Sequence, residues 1–145
     1  MKLITSRPYL RFEIDKVFAQ VKAAMHAEAL KRGNGWALYE DCYTGQTLIG
    51  GDPYDYEHIF SAEWIHSEYK HLLSDEEIAK VVNCPENVAV TLRTINQSKG
   101  KTDPETWLAN KQNIIKHQIN SKLALKHIKR AKNAIRSYVD TLINE

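Results

Sequence analysis

The chain has 145 residues, 43% hydrophobic and 26% charged, a balance that fits one folded domain and excludes a disordered chain. No apolar run approaches the roughly 18 residues that a membrane span requires, and Met1–Arg7 is too polar for a secretory leader; a cytoplasmic location without a membrane partner is expected. Two cysteines, Cys42 and Cys84, exclude a disulfide framework and a four-cysteine zinc site, so no structural zinc is expected.

The net charge is only +2, and its distribution says more than its sum. Acidic residues gather between Glu40 and Glu86. From Asn87 to Arg136 eleven basic residues face only Asp103 and Glu105. An acidic middle and a basic end provide local surfaces that total charge conceals.

Ile14, Val17, Phe18, Val21, Met25 and Leu30 recur at helical spacing and predict a helix from Glu13 to Lys31, stopped by Gly33 and Gly35. Between Trp36 and Ile59 turn-forming stretches, Cys42-Tyr43-Thr44-Gly45-Gln46 and Gly50-Gly51-Asp52-Pro53, separate short extended pieces. Tyr54, Tyr56 and His58 alternate with Asp55, Glu57 and Ile59, a short strand signal. Ser61 can cap a helix reaching about Leu73, and Ser74-Asp75-Glu76-Glu77 has the form of a capping box for a second one, ended by Asn83-Cys84-Pro85-Glu86. Val88–Leu92 reads as a strand. From Asp103-Pro104-Glu105 the chain reads as helix to its end, with Asn120-Ser121 a candidate break and a stripe of Ile115, Ile119, Leu123, Ile128, Ala131, Ile135, Tyr138, Val139 and Leu142. Trp36, Trp64 and Trp107 are read as packing anchors.

Hydrolysis of a phosphodiester needs a base for water and positive charge at the phosphate. Histidine titrates near neutrality, and a hard cation such as Mg²⁺ takes oxygen ligands. Glu57-His58 sets a carboxylate beside an imidazole; if the segment is extended, the two side chains point to opposite faces. His66 and His71, with Glu63 nearby, fall near one helix face, a spacing that arises often without metal. His26, His117 and His127 read as surface or boundary residues.

The wider pattern resembles the HNH endonuclease family. Tyr54-Asp55-Tyr56-Glu57-His58-Ile59 is similar to its first motif, Asn87-Val88-Ala89-Val90-Thr91-Leu92 to its second, and Asn96-Gln97-Ser98-Lys99-Gly100-Lys101 to its third. Cys42-Tyr43-Thr44-Gly45-Gln46 also looks like a turn in the HNH domain of RNA-guided CRISPR effector nucleases. Thr102–Leu108 resembles the helix that often follows the HNH core. The resemblance covers about Leu38 to Leu108. Glutamate stands at 57 where aspartate is common, and two predicted helices lengthen the gap between His58 and Asn87.

The resemblance implies an α+β fold: a small ββα-metal finger core flanked by amino- and carboxy-terminal helices. One domain spans 1–145, with an amino-terminal helix in 1–36, the core and its helical insertion in 37–108, and a basic helix in 109–145. It implies a metal-dependent endonuclease hydrolysing DNA to 5′-phosphate and 3′-hydroxyl ends. His58 would be the general base, and Asn87 would hold the loop between the strands and keep His58 oriented. Glu57 and Asn96 would hold Mg²⁺ or Mn²⁺, with Ni²⁺ or Zn²⁺ able to occupy the same place; Asp55 is a further candidate ligand or a supporting residue. Arg93, Lys99 and Lys101 beside the site, and Lys122, Lys126, Lys129 and Arg130 on the last helix, are the candidate nucleic-acid contacts. One site cuts one strand, so double-strand cleavage would call for a homodimer, two successive nicks or a partner protein. An RNase or bacteriocin-like toxin nuclease, and a non-catalytic nucleic-acid-binding module, are the alternatives on the same fold.

Overall fold

A computed structural model describes residues 7–144; the amino-terminal segment read as too polar for a leader lies mostly outside them. The architecture is α+β. In chain order the elements are α1 (Phe12–Arg32), β1 (Leu38–Glu40), β2 (Thr47–Ile49), β3 (Tyr54–His58), α2 (Ala62–Tyr69), α3 (Asp75–Val82), β4 (Val88–Leu92), α4 (Arg93–Lys99), α5 (Pro104–Ala109), α6 (Lys111–His117) and α7 (Ser121–Ile143). A single 3₁₀ turn at Pro85–Asn87 leads into β4. Among the described residues no helix is long and apolar enough to cross a membrane.

Strand β3 pairs antiparallel with β4 in the register Tyr54↔Leu92 to His58↔Val88. Helix α4 begins at Arg93, directly after β4 ends at Leu92, and packs on both strands. With no loop between β4 and α4, the register of the strand pair also sets which α4 side chains meet β3. This strand–strand–helix unit is interrupted by α2 and α3, which the chain inserts between β3 and β4. A second antiparallel pair, β1 with β2, lies beside β4.

Local chemistry explains the insertion's helices. The Ser61 hydroxyl accepts from the Trp64 amide at 3.1 Å. Ser74 and Glu77 form a reciprocal capping box, so two otherwise orphaned amides are satisfied at the start of α3. The Tyr43-Thr44-Gly45 turn needs glycine, since Gly45 has φ +77°. Asp41, with no exposure, organises that turn. Its carboxylate accepts from the Tyr43 and Thr44 amides and, across the interior, from the Thr91 hydroxyl and the Leu92 amide.

The main core lies between α7, α3 and the unit's buried face, where Ile59, Ile65, Ile78, Val81 and Ile95 meet Ala124, Ile128, Ala131, Ile135 and Val139. The carboxy-terminal stripe therefore differs from the expected one. Ile115 is 74% exposed and Tyr138 41% exposed. Helix breaks at Asn110 and at Gln118, the latter left-handed at φ 53°, put Ile115 out of phase with α7, while Tyr138 lies within α7 outside its buried stripe of Ile128, Ala131, Ile135 and Val139. The tryptophans also divide. Trp107 is buried at 4% exposure, Trp64 packs on Phe60 at the surface, and Trp36 is 66% exposed and outside the core.

Candidate functional site at the end of strand β3

The alternation of β3 assigns its side chains to two faces. Asp55 and Glu57 face α4. The first rung is Asn96 Nδ2 donating to Asp55 Oδ2 at 3.0 Å, with Arg93 Nε on the other carboxylate oxygen at 3.0 Å. The second rung, two residues along the strand and three along the helix, is Lys99 Nζ at 3.4 Å from Glu57 Oε1. The Tyr43 hydroxyl donates to Glu57 Oε2. Glu57 and Lys99 are only 4% and 1% exposed. Burial pushes the Glu57 carboxyl above its usual range, and Lys99 and the Tyr43 hydrogen bond pull against that rise.

His58 occupies the other face. Its ring lies 4.2 Å from the Phe18 ring of α1, centroid to centroid, and Nε2 is 2.8 Å from Asn83 Oδ1. Burial lowers its pKa to about 4; the Asn83 hydrogen bond opposes this, while Arg11 and Lys99 add to it. The imidazole is therefore neutral at pH 7, the form a general base requires. It opens on a cleft of about 200 Å³ whose lining includes Arg11, Phe18, Ser61, Asn96 and Lys101.

Asn87 has no exposure. Its Oδ1 accepts from the Phe60 amide, and its Nδ2 donates to the carbonyls of Phe60 and Val82. Its own carbonyl accepts from the Ile59 amide at 2.9 Å. Both residues that follow His58 are thus tied to Asn87, which fixes where β3 ends and where the imidazole emerges.

Of the predicted residues, Glu57, His58, Asn96 and Lys101 come together at this cleft. Lys99 does not belong among the nucleic-acid contacts: at 1% exposure, with Nζ also 3.2 Å from the His58 carbonyl, it is an interior counter-charge. Its place three residues after Asn96 turns it one helical step inward, toward Glu57. Lys122, Lys126, Lys129 and Arg130 are exposed on α7. Among the described residues no α7 side chain lines the cleft at His58; Arg130 and His127 line a separate groove with Val88, Ala89 and Val90. His66 is buried with Tyr9 against its edge, and Glu63 pairs with Lys101. Among the described residues no three His, Cys, Asp or Glu side chains gather as a metal site.

The expected oxygen ligands divide by the same geometry. Glu57 has Oε2 taken by Tyr43, while Oε1 has no hydrogen-bond partner among the described residues and lies 3.4 Å from Lys99 Nζ, which balances its charge, so a cation there would have to displace Lys99. Asp55 is partly exposed, but Arg93 and Asn96 take its two oxygens and it does not line the cleft; Asn96 has only its amide nitrogen engaged, leaving its oxygen as a donor to a hard cation. The sequence reading missed three residues: Asp41, Tyr43 and Asn83. Asp41 had a signal, since aspartate opening a turn that ends in Thr-Gly is a side-chain-to-backbone motif. Tyr43 shows in the sequence only as part of a turn and Asn83 only as a helix end, because their partners lie 14 and 25 residues away. Comparisons with protein-family models, curated proteins and solved structures find no match.

Proposed function

We propose that this chain is an HNH-type endonuclease that hydrolyses DNA phosphodiester bonds, with His58 as general base. One observation carries the reading: a neutral, oriented imidazole at the end of a strand–strand–helix unit, opening on a small cleft with Asn96 and Lys101 on its wall. His58 takes a proton from water, the water oxygen bonds to phosphorus, the bond from phosphorus to the 3′ oxygen breaks, and that oxygen takes a proton from solvent. The products are a 5′-phosphate and a 3′-hydroxyl. Asn87 keeps the strand end in place. Arg93 and Lys101, and more remotely Lys122, Lys126, Lys129 and Arg130, supply positive charge to the duplex backbone. Mg²⁺ or Mn²⁺ would supply charge neutralisation at the phosphate, with Asn96 Oδ1 the oxygen free to hold it; Asp55 and Glu57 could join only after leaving Arg93 and Lys99. A cytoplasmic location, and a homodimer or partner protein for double-strand cleavage, belong to the same proposal.

The closed Glu57–Lys99 pair favours a second reading, a nucleic-acid-binding module without catalysis. Supercoiled plasmid incubated with the protein and Mg²⁺ or Mn²⁺, beside reactions with EDTA or His58→Ala protein, separates the two. Nicked or linear DNA that requires both the cation and His58 is the expected result. Cutting by His58→Ala at the parent rate would overturn the assignment of the base. Plasmid retarded but uncut, with single-stranded RNA uncut as well, would select the binding module; cut RNA alone would move the substrate to RNA.

A further inference from the structure

We infer that Asn83, at the end of α3 in the insertion, is a positioning residue that holds His58 in the Nε2–H tautomer and leaves Nδ1 as the nitrogen that accepts the proton. The inference rests on reading His58 as the base and extends it to a residue outside the three motifs.

The argument begins with Asn83 itself. Its Nδ2 donates to two backbone carbonyls, Ile14 at 3.1 Å and Ala79 at 2.9 Å. Turning the amide over would set its oxygen against both carbonyl oxygens, so the orientation is determined. Oδ1 is therefore the atom facing His58 Nε2 at 2.8 Å, and an amide oxygen can only accept. Nε2 must carry the hydrogen. In a neutral imidazole the other nitrogen then holds the free lone pair, and no hydrogen bond to Nδ1 occurs among the described residues.

Three elements converge in this contact. Asn83 is 3% exposed and caps α3. Its bond to Ile14 ties it to α1, whose Phe18 covers one side of the imidazole. The ring is thus gripped at one nitrogen and on one side by parts of the chain that lie outside the strand–strand–helix unit. That assigns the insertion at residues 61–85 a task in the chemistry: it closes the core and presents an acceptor to the base.

Asn83 differs from a merely structural residue in what its loss would change. Nitrogen-15 NMR of the imidazole in the unaltered protein at pH 7 is expected to show Nε2 protonated and Nδ1 bare; an Nδ1–H tautomer, or a mixture of the two, overturns the inference. Asn83→Ala is expected to give a mixture of tautomers, and in plasmid cleavage to lower kcat at least tenfold with KM changed less than twofold. A folded Asn83→Ala protein with an unchanged tautomer would also overturn it. The tautomer is read without any cleavage. If His58→Ala cuts as well as the parent while the tautomer is as stated, the reading of His58 as base fails and the grip on the ring stands.

Discussion

The two faces of β3 handle polar burial in opposite ways. Toward α4, Asp55 and Glu57 meet Arg93, Asn96 and Lys99 in successive rungs, and the innermost pair is sealed from solvent. Toward α1 and α3, His58 meets a phenyl ring and a neutral amide. The first face gains order by matching charge with charge, which makes it costly to disturb and slow to release a ligand atom. The second keeps its histidine neutral and partly exposed. A base has to be uncharged and reachable, conditions that the second face meets, while the first is built for rigidity.

The sharpest way to break this contrast is to remove one charge from the sealed rung. Lys99→Met leaves Glu57 buried without a counter-ion, and a loss of about 3–5 kcal/mol is expected in denaturant unfolding. The Lys99→Met, Glu57→Leu double variant should recover most of that. A single variant as stable as the parent would show that the pair is hydrated and open to a metal after all. Asn87→Ala, which orphans the Phe60 amide and two carbonyls, is expected to cost about 2–4 kcal/mol by the same measurement. Parent-like melting would remove Asn87 from its place at the strand end.

The His58 face can be tested by pH. Its folded pKa, about 4, lies below the unfolded value of 6.5. Between those values the unfolded chain binds a proton that the folded chain refuses, so this contribution to stability is full above pH 6.5 and is lost as pH falls toward 4. Denaturation midpoints in His58→Phe should lack that part of the acid dependence. Where the protein stays folded, the acid limb of kcat/KM should fall near pH 4 rather than 6.5. A limb at 6.5 would mean an imidazole open to water.

Smaller effects sharpen the same contrast. Replacing Lys122, Lys126, Lys129 and Arg130 with glutamine should make the slope of log binding constant against log salt shallower by about three to four units if all four meet phosphates. An unchanged slope would leave α7 as a solvated face. Arg93→Ala removes an exposed pair at the edge of the sealed face and should cost less than about 1 kcal/mol. A larger loss would extend the sealed region outward to Asp55.

Much of this fold was legible because its signals are local. The capping box at Ser74, the Ser61 cap, the alternation in β3 and the β-branched run of β4 each lie within a few residues, and each forms the expected element. The meeting of His58 with Asn96 was legible only through the order of three motifs. Lys99 shows where such reading stops. Beside Asn96 and Lys101 it has the composition of a phosphate contact, yet helical rotation turns it into the core.

By itself, then, the sequence determined most of the elements and which strand end carries the histidine, since hydrophobic period, caps and turns act over one or two helical turns. Tertiary structure alone decided which of those polar groups face each other. It closed Glu57 on Lys99, brought Asn83 to His58 across the insertion, and set α7's basic face apart from the cleft. The physical reason is range. Hydrogen bonds and ion pairs act over about 3–4 Å, and which groups come that close depends on packing between segments whose separation along the chain carries no pattern.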